Sequence, residues 1–218
     1  QDVDAAVKEV HRAVTELGLV GIAVAPQGMR EHLGSQTFWP IYEEIQRLNV
    51  PFCVHSRREG PAGETRFDSF IYMHTIGRPT ETIIQCVGLM YAGIPEKFPK
   101  LRIAFLECGA GWVPNWMERM DEEWEKRGDV EAPLCKQKPS EYIIHGNWFF
   151  ATEPEEEMLP YVIERIGEDR IVFASDYPHW DALFPNVVST IRGRKDISES
   201  AKEKILGKNA NALYGWND

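Results

Sequence analysis

Apolar positions recur along the chain in two alternating rhythms. Val3, Ala6, Val7, Val10, Val14 and Leu17 are spaced by three and four residues, behind Asp2 and Asp4 and ahead of Gly18. That spacing predicts an amphipathic helix with acids at its positive end and a glycine stop. A short apolar run over 19–25, closed by Pro26, predicts a strand. Ile41, Ile45 and Leu48 predict a second helix, and 50–54 a second buried strand that stops at His55. Thr80, after Pro79, predicts the cap of a helix over 81–92 that Gly93 ends. The run over 101–106 predicts a third strand stopping at Glu107, and 112–126 a long helix with Trp116, Met120 and Trp124 on one core-facing stripe. A strand over 148–151 and a helix over 155–165 follow, then an apolar run over 171–174 that ends at Asp176 and breaks into Tyr177, Pro178, His179 and Trp180. Asp196, with Glu199 three residues on, has the form of a capping box for a helix over 197–206 that Gly207 stops.

Strands that alternate with helices build one parallel α/β sheet, here a single domain over 1–218 without repeats or a low-complexity linker. Two architectures fit. An open flavodoxin-like sheet needs about five strands, whereas a (β/α)8 barrel needs eight and typically about 250 residues. Gly109-Ala110-Gly111 lacks the third glycine and the acidic partner of a dinucleotide-binding turn. Its role is left open by its pattern.

Composition narrows the partners. With 43% apolar residues and seven tryptophans, 218 residues can bury a substantial core. A formal charge of −10 argues against a nucleic-acid or anionic-membrane surface, since both need clustered Lys and Arg. No stretch approaches the roughly 18–20 apolar residues of a membrane span, and no basic-headed signal peptide is visible. Cys53, Cys86, Cys108 and Cys135 show no C-x-x-C pairing and read as reduced thiols of a cytoplasmic protein.

His55, Glu107 and Asp176 each stand where a buried strand ends, and in a parallel barrel those ends converge on one face. Singly, each has an ordinary structural reading: His55 a core histidine, Glu107 the partner of a neighbouring arginine, Asp176 the cap of a helix begun near Trp180. Together they suit a divalent metal, for which imidazole and carboxylate are appropriate ligands. Arg57 and Arg58, on a polar glycine-containing loop, are candidates for binding a substrate carboxylate. His74 and His179 are candidate proton donors, and Trp112 and Trp180 candidate walls of an aromatic pocket. His11, His32 and His145 read as surface or structural residues, and the basic run 192–195 as a solvated turn.

Several longer stretches carry a family resemblance: Pro51-Phe52-Cys53-Val54-His55, Gly93-Ile94-Pro95-Glu96-Lys97-Phe98-Pro99-Lys100-Leu101-Arg102, Phe105-Leu106-Glu107-Cys108-Gly109-Ala110-Gly111-Trp112, Ala174-Ser175-Asp176-Tyr177-Pro178-His179 and Ile205-Leu206-Gly207-Lys208-Asn209-Ala210-Asn211-Ala212-Leu213-Tyr214. With these the chain resembles the amidohydrolase-2 branch of the amidohydrolase superfamily, metal-dependent TIM barrels that include hydrolases and nonoxidative decarboxylases. The resemblance implies a (β/α)8 barrel of which the five strands here are strands four to eight. It makes His55 and Asp176 metal ligands, with Asp176 also handling the reacting proton. Two departures accompany it: Glu107 stands where the decarboxylases carry histidine, and the strand-one metal motif is absent.

The expectation is therefore an incomplete barrel lacking about three βα units. A complementary polypeptide would supply strands one to three, or a homo-oligomer would cover the open edges. The expected activity is metal-dependent hydrolysis of a small molecule, with Zn2+ ahead of Mn2+, Asp176 as base, and Glu107 and His179 as further catalytic groups. Arg57, Arg58, His74 and Trp112 would bind the substrate. Two alternatives stay open: nonoxidative decarboxylation of an aromatic or unsaturated acid, and a non-catalytic scaffold or regulatory subunit.

Overall fold

A computed structural model of the protein describes residues 2–56 and 66–216. Five parallel strands, β1 (Ile22–Val24), β2 (Phe52–His55), β3 (Ile103–Leu106), β4 (Trp148–Thr152) and β5 (Ile171–Phe173), form one sheet in the order β1-β2-β3-β4-β5. Phe52 stands opposite Ile103, which stands opposite Trp148, and Phe150 opposite Ile171. Strictly sequential order is the order of a barrel wall; a flavodoxin-like sheet reverses direction at a switch point. Before, between and after the strands lie α1 (Val3–Thr15), α2 (Trp39–Arg47), α3 (Phe70–Tyr91), α4 (Ile94–Lys97), α5 (Val113–Glu131), α6 (Pro139–His145), α7 (Leu159–Ile166), α8 (Val187–Gly193), α9 (Glu199–Glu203) and α10 (Asn209–Tyr214).

The period-two alternation of the strands divides the sheet into two faces. Phe52, Val54, Ile103, Phe105, Trp148, Phe150 and Ile171 join the main core with Tyr42, Leu89, Met120, Ile143, Val162 and Ile191 from the helices. Cys53, Ala104, Phe149, Ala151 and Val172 face the other way and meet Leu213 of α10. Phe105 and Phe150 stack at 5.5 Å, a contact worth about 0.5–1.5 kcal/mol beyond burial. On β5, Asn209 donates through Nδ2 to the carbonyl of Ile171 at 2.7 Å and to that of Glu168, so a side chain takes a carbonyl that the ladder leaves open.

Several elements differ from the sequence expectation. The first strand covers only 22–24, and Leu19 and Val20 stay exposed. The second ends one residue later than expected and takes in His55 itself. The largest difference is α3, which runs for 22 residues straight through Pro79. The proline removes one helical hydrogen bond, but buried Gly77, Thr82, Gln85 and Leu89 on both sides of it hold the segment helical. The helix after β4 starts at Leu159, and no helix starts near Trp180; α8 begins at Val187. Ser198 rather than Asp196 caps α9, accepting from the amide of Ala201 at 3.0 Å, because Asp196 is drawn to Arg194 at 2.7 Å. All four cysteines are free, and three are buried. Among the described residues no helix is long and apolar enough to cross a membrane.

Candidate active site

The carboxyl ends of β3, β4 and β5 open onto one cavity of about 200 Å³. Glu107 follows directly on β3 and Asp176 lies three residues beyond β5; both adopt left-handed backbone, with φ of 61° and 54°. Non-glycine residues enter that region at a cost, and they concentrate at functional sites. The turn after β5 is closed locally: the amide of His179 donates to the carbonyl of Asp176 at 2.8 Å, and its Nδ1 lies 2.7 Å from Asp176 Oδ1. Glu107, Asp176 and His179 offer ligand atoms that all lie within 4.8 Å of one another.

His55 Nε2 stands 2.5 Å from Glu107 Oε2, and the guanidinium of Arg78 contacts Oε1. Neither contact is aligned as a regular hydrogen bond, so both buried Glu107 oxygens keep unfilled acceptor capacity. Burial alone would raise the Glu107 carboxyl, but His55, Arg78 and His179 outweigh it and hold it below its ordinary value. The contact with Glu107 raises His55 in turn, against the burial that lowers it. Glu153, just past β4, is raised by removal from bulk water and then by the negative charges of Asp176, Glu156, Glu107 and Asp181.

The loop that carries Glu107 is tied down from a distance. Glu156 accepts from the amides of Ala110 at 2.9 Å and Gly111 at 2.5 Å, and from the hydroxyl of Thr152 at 2.7 Å. A Cβ on Gly109 or Gly111 would stand 2.9 Å from Glu156 Oε1, so the Gly-Ala-Gly run is the cradle of a carboxylate, with no dinucleotide role. Arg194 in turn fixes the segment after β4 that carries Glu156, donating to the carbonyls of Pro154 at 3.0 Å and Glu156 at 2.8 Å. The basic run expected to be a solvated turn thus contains a largely buried anchor.

The other sequence candidates fare differently. His74 lies on α3 against the cavity, stacked on Phe70 at 5.1 Å and 3.9 Å from Asp181. Trp112 does not wall the cavity: its indole donates to the carbonyl of Gly109 at 2.9 Å and its ring packs on Phe105 and Phe150, because the turn into α5 points it into the core. Trp180 is 77% exposed beside Phe70 and His74. Arg57 and Arg58 lie outside the described residues. Three ionisable cavity residues were missed, Arg78, Glu153 and Asp181. Glu153 sits at a fourth strand end and was open to the rule that found the other three, whereas Arg78 was hidden in a stretch read as preceding a helix.

Comparison with known proteins is consistent with this geometry. The amidohydrolase family model matches residues 1–216. A 2-amino-3-carboxymuconate-6-semialdehyde decarboxylase of Dictyostelium discoideum is 28% identical over 216 residues, covering 99% of this chain and 58% of that protein. A gamma-resorcylate decarboxylase of Polaromonas sp. (strain JS666) is 30% identical over 235 residues, covering 100% of this chain and 68% of that protein. The crystal structure of a dihydroxybenzoic acid decarboxylase from Polaromonas sp. JS666, with bound manganese and the inhibitor 2-nitroresorcinol, superposes with a TM-score of 0.81 at 26% identity. The match covers 100% of this chain and 67% of that one. The chain therefore spans between 58% and 68% of the length of these proteins.

Proposed function

Because the chain belongs to the amidohydrolase family, we propose that it is a metal-dependent nonoxidative decarboxylase of a small aromatic or unsaturated carboxylic acid. The observation that carries the reading is the gathering of Glu107, Asp176 and His179 within 4.8 Å of one another beyond the ends of β3 and β5, with both carboxylates lining one cavity. The two relatives described above are decarboxylases, which favours this activity over the hydrolysis first expected.

The residues fit a divalent ion. The Glu107 oxygens are buried with acceptor capacity unfilled, and two carboxylates with an imidazole make a mixed O/N donor set suited to Mn2+ or Zn2+. Glu107, Asp176 and His179 would hold it, with His55 as a fourth group beside Glu107. The manganese of the Polaromonas structure favours Mn2+ over Zn2+. When bound, the ion supplies Lewis-acid stabilisation of negative charge on a substrate oxygen.

The chain's own groups do the rest. Loss of CO2 leaves an electron pair on carbon that must receive one proton, and Asp176, at the cavity and oriented by His179, is the group we assign to take that proton from solvent and pass it to carbon, returning to its carboxylate form. His74, on α3 beside Asp181, orients substrate. We further propose that residues 1–218 form an arc of a (β/α)8 barrel whose other strands come from polypeptide outside this stretch, in the same or a second chain. The sequential strand order and the helices burying one face support this arrangement.

The test is to incubate the Mn2+-loaded protein with 2,6-dihydroxybenzoate and with 5-carboxyvanillate, following CO2 and the decarboxylated arene by chromatography. We expect release from at least one, lost in Asp176→Asn. Release from neither, by a protein shown to hold the metal, would remove the decarboxylase reading.

A further inference from the structure

The cavity wall is electrostatically lopsided. Glu107, Glu153, Asp176 and Asp181 all contribute to it, and among the described residues Arg78 is the one permanent cation facing them. Among the described residues an anionic group entering this space meets four carboxylates and one permanent positive side chain, to whose attraction a bound divalent ion would add.

Arg78 is also held in a particular way. It sits on α3, one residue before Pro79, with its side chain 19% exposed, and Nη1 is engaged by Glu107 Oε1. Its Nε is buried without a hydrogen-bond partner. A guanidinium presents its donors in a rigid planar fork that matches a carboxylate edge on, so fixing one nitrogen fixes the plane of the others. A buried donor on a charged group is costly to leave unmet, and a ligand oxygen can meet it.

We propose that Arg78 is the residue that anchors the substrate's carboxylate, and with it sets the preference of this site for carboxylic acids over neutral aromatics of the same shape. The inference rests on the decarboxylase reading and deepens it by naming the residue that selects the acid. It assigns to α3 the role that the sequence suggested for Arg57 or Arg58. Arg78 acts in binding: a pair made equally with the bound acid and the transition state raises affinity and leaves the chemical step alone.

The probes are benzoate and benzamide, alike in shape and different in charge, titrated calorimetrically into the Mn2+-loaded protein. Wild type should prefer benzoate by about 10- to 100-fold, the range of one charge-assisted contact. Arg78→Gln should lose that preference while holding benzamide as before. Arg78→Lys, which keeps the charge without the fork, should recover part of it and guards against a misfolded Gln variant. A wild-type protein that binds both probes equally, a Gln variant that keeps the preference, or a parallel loss of both probes would each overturn the assignment; the last would mean that Arg78 merely supports Glu107. The two readings can fail separately. Turnover of 2,6-dihydroxybenzoate with the preference intact in Arg78→Gln sinks the anchor alone, whereas an Arg78-dependent preference without CO2 release sinks the decarboxylase alone.

Discussion

Replacing Glu156 by alanine tests whether the site is held by a loop clamp remote from the chemistry. The carboxylate receives the amides of Ala110 and Gly111 and the hydroxyl of Thr152, and so joins the segment after β3 to the end of β4. A hydrogen bond to a charged acceptor contributes about 1.5–3 kcal/mol when buried. Glu156 is only partly buried and water can replace some of what is lost, so the three together should be worth about 2–4 kcal/mol, below their simple sum. For a chain of this size each kcal/mol moves the melting temperature by about 2–4 °C, giving a fall of about 4–16 °C. Glu156→Gln, which keeps one acceptor oxygen and turns an amine toward the donors, should fall between alanine and wild type. Urea unfolding read at constant m measures the change. Because Glu107 rides on the clamped segment, Mn2+ affinity should fall in the same order. A loss below about 0.5 kcal/mol, the range of an ordinary surface substitution, would refute the clamp.

Other outcomes follow from the same geometry. In metal-free protein His55 is raised by its contact with Glu107, so its contribution to stability is complete below the ordinary imidazole value of 6.5 and disappears as pH climbs through the raised value. Glu107→Gln should abolish that slope and return the His55 ring titration, followed by NMR, toward 6.5. Trp112→Phe should cost about 0.5–1.5 kcal/mol for the lost bond to Gly109 and leave KM unchanged; a tenfold rise in KM would put Trp112 back on the substrate wall. Chelation should lower the melting temperature, and free Mn2+ at a hundred times its Kd should restore about 2.7 kcal/mol.

How much of this was legible in the chain depended on whether the signal was local. The strand ends were, because a strand buried on both faces is an unbroken apolar run, and the first ionisable residue after it marks the rim: His55, Glu107 and Asp176 stood out for that reason. Glu153 carried the same mark, but Pro154 and the acids after it resemble the start of a helix, which in fact begins at Leu159. Arg78 could not be found that way. Pro79 is a strong local start signal, and only the packing of Gly77, Thr82 and Gln85 overrides it. The Gly109-Ala110-Gly111 run is legible as a place needing glycine, yet its partner lies 45 or 46 residues away and nothing in the spacing names it. Arg194 is the same case in reverse, a charge that reads as solvated until the loop it holds folds across it.

The site should weaken the fold that carries it. Glu107 and Asp176 both occupy left-handed backbone, at about 1–2 kcal/mol each, and their carboxylates are held with His179 inside 4.8 Å, in a cavity that also takes in Glu153 and Asp181. Such preorganisation is useful to a bound cation and costly without one. Asp176→Asn separates the two effects: asparagine tolerates left-handed backbone, removes one negative charge from the cluster, and gives up only the pairing with the half-exposed His179, which solvent screens. In metal-free protein the variant should be more stable than wild type by about 0.5–1 kcal/mol, the scale on which relieved like-charge contacts register at sites open to water. With Mn2+ present the order should reverse, because the wild type gains binding energy that the variant has lost. Denaturation curves with and without the ion decide it. A variant less stable than wild type in both conditions would mean that Asp176 is there to hold the β5 turn, and that the cluster is an accident of where the strands end.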